Sequence, residues 1–367
     1  MLRISMNRAA LAGATTLGLG TLLLVTPACD KSAKEPTASA EESSATAANT
    51  AAVLNPEIAR AVAAAASGDK PQAAADGPPP DGLLTAARAD SEATIEGGAK
   101  VVLGGTGTDP KVQLGGPEVT DKCSGQLELS VRTGPRSALP TVAFKFGLVG
   151  KTPEVGPHEV TVDVLGSSLA ANQPGQIPEE LGAALAKLKG SKFHYSSTGG
   201  RLSSSPSFEL AKGAAPDMDL VLMTAADVLS SALLSFPAEP MGKDGFWMTT
   251  SREKVLGTDV VAYRMVRVVD VTERGVELDV KTRRYAAEPT LGMPGIGAHS
   301  LKQFQAEDST TLLISPGHRL PVEGRAEITI GAVIESAQGQ APVQIQIDGS
   351  FGFPPKGAQS QSKTTSP

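Results

Sequence analysis

Few side chains in this chain could act as nucleophiles, general bases or metal ligands. Ser251-Arg252-Glu253-Lys254 sets a hydroxyl and an amine three residues apart. On a helix that spacing lets the amine take the proton of an attacking serine. Here the segment lies between runs with strand-like alternation, and no Ser-Asp-Asn or Lys-Thr-Gly segment accompanies it. The histidines, His158, His194, His299 and His318, are far apart, and none has a second ligand at metal-binding spacing. Each is read as a surface or turn residue. Asp270, Glu277 and Asp279 fall on the wet face or the turns of an alternating hairpin and are read as solvated. Gly104-Gly105-Thr106-Gly107 is glycine-rich, but no strand is expected before it and no helix after it, so it reads as linker. His-Glu-x-x-His, Cys-x-x-Cys and Gly-x-Ser-x-Gly are absent. No catalytic, metal or cofactor site is expected, and the chain is read as a non-enzyme.

The two thiols differ in context. Arg3 and Arg8 are the only charges before Cys29, and a mostly apolar run of about 17 residues, Ala9 to Val25, follows them. A positive head and a short apolar core form an export signal. A membrane-spanning helix needs about 20 strongly apolar residues. No later stretch approaches that length. The run ends Val25-Thr26-Pro27-Ala28-Cys29-Asp30, which resembles the lipobox of bacterial lipoproteins. The resemblance implies that the Cys29 thiol takes a diacylglycerol, that the chain is cut after Ala28, and that the new amino terminus is acylated. Stable anchoring takes more than one acyl chain, each buried CH₂ contributing about 0.8 kcal/mol. The implied location is the bacterial cell envelope, outside the cytoplasm, with the membrane as partner. Cys123 is the only other thiol, so no internal disulfide is expected; it is read as a buried, inert cysteine.

Composition excludes one class of partner. The formal net charge is −6, and loss of Arg3 and Arg8 takes it to −8. An acidic chain without a basic cluster does not bind nucleic acid, because phosphate contacts dominate that affinity. Aromatic residues make up 4%, too few for a base-stacking surface.

Residues from Asp30 to about Gly98 contain no aromatic side chain and are rich in Ala, Ser, Pro and Gly. Such a segment buries too little apolar surface to offset chain entropy. Residues 29–114 are therefore read as a tether, with a transient helix over Pro56–Ala66. Its reach is about 50–60 Å. The tail 354–367 is read as disordered.

The expected folded domain is 115–353. Leu127, Leu129 and Val131 alternate with polar residues. So do Val142, Phe144, Phe146 and Leu148, and then Val160, Val162 and Val164. Period-two alternation gives strands with one buried face, and the breaks between them predict an antiparallel meander. A helix is expected over Pro178–Lys189. A second, apolar on nearly every side with Asp227 as a rare charge, is expected over Asp217–Leu234 and must be buried. Short strands are expected near Lys192–Ser196 and Ser207–Leu210. A hairpin turning at Thr272–Gly275 follows, then strands near Leu312–Ile314, Ile328–Ile330 and Val343–Ile347. The expected fold is α+β: a mainly antiparallel curved sheet or open β-barrel with two helices, one buried.

Phe236-Pro-Ala-Glu-Pro-Met-Gly-Lys-Asp-Gly-Phe-Trp247 and Ser197-Thr-Gly-Gly-Arg-Leu202 resemble signature segments of bacterial lipoproteins of uncharacterised function. The layout is also similar to open-barrel lipoprotein carriers, whose curved sheet encloses helices and an apolar cavity. The resemblance implies an apolar ligand between sheet and buried helix. The alternative is a tethered structural or interaction protein that contacts another envelope component and holds no small molecule.

Overall fold

A computed structural model describes residues 79–94, 98–116, 122–134, 139–151, 157–170, 179–198, 201–293, 297–336 and 339–354. The chain divides into two units, Met1–Val53 and Leu54–Pro367, and every described residue lies in the second. Cys29, the signal segment, the Pro56–Ala66 helix and the tail beyond Pro354 lie outside the described residues.

Ordered elements begin N-terminal to the expected boundary at 115. α1 (Ala86–Glu92), β1 (Lys100–Gly105) and β2 (Thr108–Val112) occupy part of the stretch read as tether. Gly104 to Gly107, read as linker, ends β1 and turns into β2. Distant partners order these pieces, not their own hydrophobicity. Thr85 Oγ1 caps α1 by accepting the Arg88 N–H at 3.3 Å. Leu84, Ala89 and Ala93 then form a small second core with Val261 and Ala287.

The expected meander is present. β3 (Cys123–Thr133), β4 (Val142–Lys151) and β5 (His158–Leu169) pair antiparallel in sequence order. Leu127, Phe144, Phe146 and Val162 are buried on one face, as the alternation requires. α2 (Glu179–Ala186) sits within the expected helix and is shorter at its C-terminal end. β6 (Lys192–Thr198) and β7 (Arg201–Glu209) form a hairpin. A 3₁₀ turn at Pro216–Met218 leads into α3 (Asp219–Ala232), the expected buried helix. β8 (Met241–Lys243), β9 (Phe246–Val255), β10 (Thr258–Thr272) and β11 (Gly275–Ala286) follow, with the hairpin turn at Thr272–Gly275 as predicted. β12 (Thr290–Met293), β13 (Gly297–Ile314), β14 (Glu323–Ser336) and β15 (Gly339–Gly352) complete the chain. The last three strands are 18, 14 and 14 residues long, far longer than their expected apolar centres.

All described strands but β2 and β8 form one antiparallel sheet in the order β1-β9-β10-β11-β13-β14-β15-β3-β4-β5-β6-β7, with β12 beside β13; β2 and β8 form a separate pair. Bulges at Val268/Asp270 in β10 and Leu301/Gln303 in β13 bend the long strands. The sheet curls until β7 packs against β9. It does not close: among the described residues β7 pairs with β6 alone, and no hydrogen-bonded ladder joins it to β9. α3, about 21 Å long, lies against β13, β14 and β15 on the concave face. A Cβ at Gly349 would meet Val228 Cγ1 at 2.4 Å, so β15 admits the helix only because that residue is glycine.

The segment Phe236–Trp247 anchors the chain after α3. The fully buried Trp247 donates its Nε1–H to the Ser235 carbonyl at 3.0 Å, and its ring lies 6.1 Å from that of Phe236. β8 pairs with β2, and a Cβ at Gly242 would meet the Thr108 carbonyl oxygen at 1.7 Å. The signature residues of this segment are thus accounted for by packing.

Candidate functional site

The concave face is not uniformly apolar. Alternation turns Ser251 and Glu253 of β9 inward, with Arg264 of β10, Thr282 and Arg284 of β11, and Asp308 and Thr310 of β13. Register brings them together: Arg264 stands opposite Thr282, and Thr282 opposite Asp308. A polar band therefore crosses four adjacent strands of the interior. Asp227 and Ser231, one helical turn apart, meet it from α3.

The contacts form a chain. Arg264 donates to Ser251 Oγ at 2.8 Å and to Glu253 Oε2 at 2.5 Å. Arg284 donates from Nε to Glu253 Oε1 at 2.6 Å and from Nη1 to Asp308 Oδ1 at 2.5 Å. Ser231 donates to Asp308 Oδ2 at 3.4 Å. Asp227 Oδ2 accepts the Leu256 backbone N–H at 3.2 Å. Arg284 is 2% exposed and the Asp308 side chain 0%, so these are charges removed from water.

Burial and pairing push the carboxyls in opposite directions. Desolvation raises Asp227 to about 8; its backbone hydrogen bond and Arg284 only partly oppose this. Glu253, with its side chain 12% exposed, is also desolvated, yet Arg264 and Arg284 overcome this and hold it down to about 2. Arg284 is shifted up: desolvation favours loss of its proton, but Asp308 and Glu253 outweigh it. Burial also shifts the Tyr195 hydroxyl upward. Arg264 Nε and the hydroxyls of Thr282 and Thr310 are buried without hydrogen-bond partners in the protein.

A cleft of about 40 Å³ opens at one end of this band, where Tyr195, the C-terminal end of α3 around Ser230 and Leu234, and β9 converge. That volume holds about three waters. A site for a small organic ligand takes about 300–1,000 Å³. Among the described residues, this cleft is too small for such a ligand.

Ser251 and Lys254 lie on a strand, three residues apart and so on opposite faces. Ser251 is held by Arg264 instead. Arg252, between them, turns outward; Asp259 accepts from it at 2.7 and 2.8 Å and Asp90 at 3.2 Å, which ties α1 to the sheet. His158 is buried on β5, not at the surface as expected, because its position continues the inward row of Val160 and Val162. His194 is exposed, 3.3 Å from Thr161 Oγ1. Among the described residues, no group of three His, Cys, Asp or Glu side chains could hold a metal ion. Asp270 lies 3.5 Å from Lys243 and Asp279 3.7 Å from Lys281 at the surface. Cys123 is half-buried against the main core. Cys29 lies outside the described residues. Sequence reading missed the polar band; the one signal for it was charge at inward positions of strands, Glu253, Arg264, Arg284 and Asp308.

No family model matches the chain, and no curated protein matches it. A solved structure described as lipid–protein interactions in lipovitellin is similar to it with a TM-score of 0.41 and 8% identity, over 64% of this chain. The similar region spans 25% of that structure's chain, and nothing about a ligand is carried over from it.

Proposed function

We propose that this is an exported envelope protein, lipid-anchored through Cys29, whose folded domain is a binding module for an apolar ligand and not an enzyme. The observation that carries the reading is a sheet that wraps an apolar helix and stops short of closing. Hydrogen bonds along β7 and β9 would make the interior permanent; side-chain packing makes it separable. With α3 seated, the cavity is about 40 Å³, so a ligand enters by displacing side chains or the helix at that seam. The small size of that cleft favours the second reading, a tethered interaction protein with no small-molecule ligand.

Native mass spectrometry of the exported Cys29→Ser chain separates the two. A co-purifying mass that organic solvent extracts as lipid is the expected result. A clean apoprotein mass overturns the ligand reading in favour of a protein partner. The anchor has its own test: the same substitution moves the protein from the membrane pellet to the soluble fraction. Retention in the pellet would show that Cys29 is not the anchor.

A further inference from the structure

We infer that Asp227 is a proton latch on α3: protonated, it keeps the helix seated in the concave face, and ionised, it loosens the helix. The inference draws on the binding-module reading for the use of a loosened helix, but seating is measurable without any ligand.

Three carboxylates, Asp227, Glu253 and Asp308, share the buried band with two guanidiniums, Arg264 and Arg284. With all five ionised, the largely buried band holds one surplus negative charge, and one bound proton removes it. Hydrogen bonding decides where the proton goes. Glu253 accepts from both guanidiniums. Asp308 accepts from Arg284 and Ser231. Among the described residues, the Asp227 carboxylate accepts only the backbone N–H of Leu256. It is the carboxylate to which neither arginine donates a hydrogen bond, and it is the one on the helix.

The groups facing it come from every wall. β9 supplies Glu253, β10 Arg264, β11 Arg284 and β13 Asp308, while β6 supplies Tyr195 at the next turn of the helix. The inward positions of β14 and β15 against α3, Ile328, Ile347 and Gly349, carry no charge. The folded-state value of Asp227, about 8, lies above its ordinary 3.8. The seated helix therefore holds a proton that a released helix gives up. The contribution to seating is complete below pH 3.8, shrinks about tenfold per pH unit above it, and is lost by about pH 8. Glu253, held at about 2 against an ordinary 4.5, is paired to Arg264 and Arg284 on the sheet itself, so its contribution, lost as pH falls below 4.5, is to the sheet and not to seating. The Asp227 contribution to seating thus grows as pH falls from about 8 toward 3.8 and is absent above pH 8.

Hydrogen exchange of the full-length Cys29→Ser chain, read by mass spectrometry and corrected for intrinsic rates, tests this. Between about pH 5 and pH 8, protection of the α3 peptide should fall about tenfold per pH unit, while β14 peptides keep theirs. Asp227→Asn, nearly isosteric, should make α3 protection independent of pH. Asp308→Asn removes the surplus charge from another residue and should weaken the dependence too. Parallel loss in α3 and β14 would overturn the latch, since the helix would then open only with the whole core. So would an Asp227→Asn chain that keeps the wild-type pH dependence. An apolar naphthylamine dye distinguishes the two proposals. α3 loosening as expected with no dye bound at pH 8 leaves the latch standing and removes the binding-module reading.

Discussion

Arg284→Met should lower the stability of the folded unit by about 3–5 kcal/mol at neutral pH, the usual cost of removing one partner from a buried ion pair. Arg284 is 2% exposed and bridges Glu253 and Asp308. Methionine fills much of the same space, so the loss is electrostatic: two carboxylates remain in the interior without their shared cation. Urea unfolding of the Cys29→Ser background provides the measurement. Glu253→Gln in the same chain should recover part of the loss, because it removes one of the stranded charges. A cost below about 1 kcal/mol would mean that water reaches the band and screens it. Strictly additive single substitutions would mean that the residues do not act as one network.

Leu222→Asp should abolish the cooperative unfolding transition. Leu222 is fully buried on the face of α3 that meets the main core. Losing its side chain costs about 2–5 kcal/mol, the range expected for Leu222→Ala. A carboxylate buried in this core cluster adds a desolvation penalty, and a chain with about 5–15 kcal/mol in total cannot absorb both. Leu222→Ala is the control: it should melt cooperatively at a lower temperature. An unchanged melting temperature for Leu222→Asp would show that α3 is not part of the core.

The predictions rest on different levels of legibility. Strands β3 to β5, the Thr272–Gly275 turn and α3 were readable because each is specified locally. Alternation every two residues, a run of turn residues, or an all-round apolar stretch needs no knowledge of the rest of the chain. β13 was readable only at its apolar end, Leu312–Ile314, because its inward row continues as Thr310 and Asp308. Polar residues at inward positions look like solvated ones in a linear reading. The same confusion hid Glu253, Arg264 and Arg284.

α1, β1 and β2 failed to register for a related reason. Their stretch lacks aromatic residues and has the composition of a tether. It folds because strand residues 246–250 and 241–243 offer hydrogen bonds, and because Val261 and Ala287 offer a second small core. Those partners lie more than a hundred residues away.

By itself, then, the sequence determined the α+β class, the mainly antiparallel order of the first sheet half and the burial of α3, since local periodicity settles which face of an element leaves water. Only the tertiary structure decided that β7 returns to β9 without pairing, and that Arg264, Thr282 and Asp308 stand side by side. Cross-strand register sets such neighbours. A shift of one residue in any of these pairings would turn the charges out to solvent and leave no band at all.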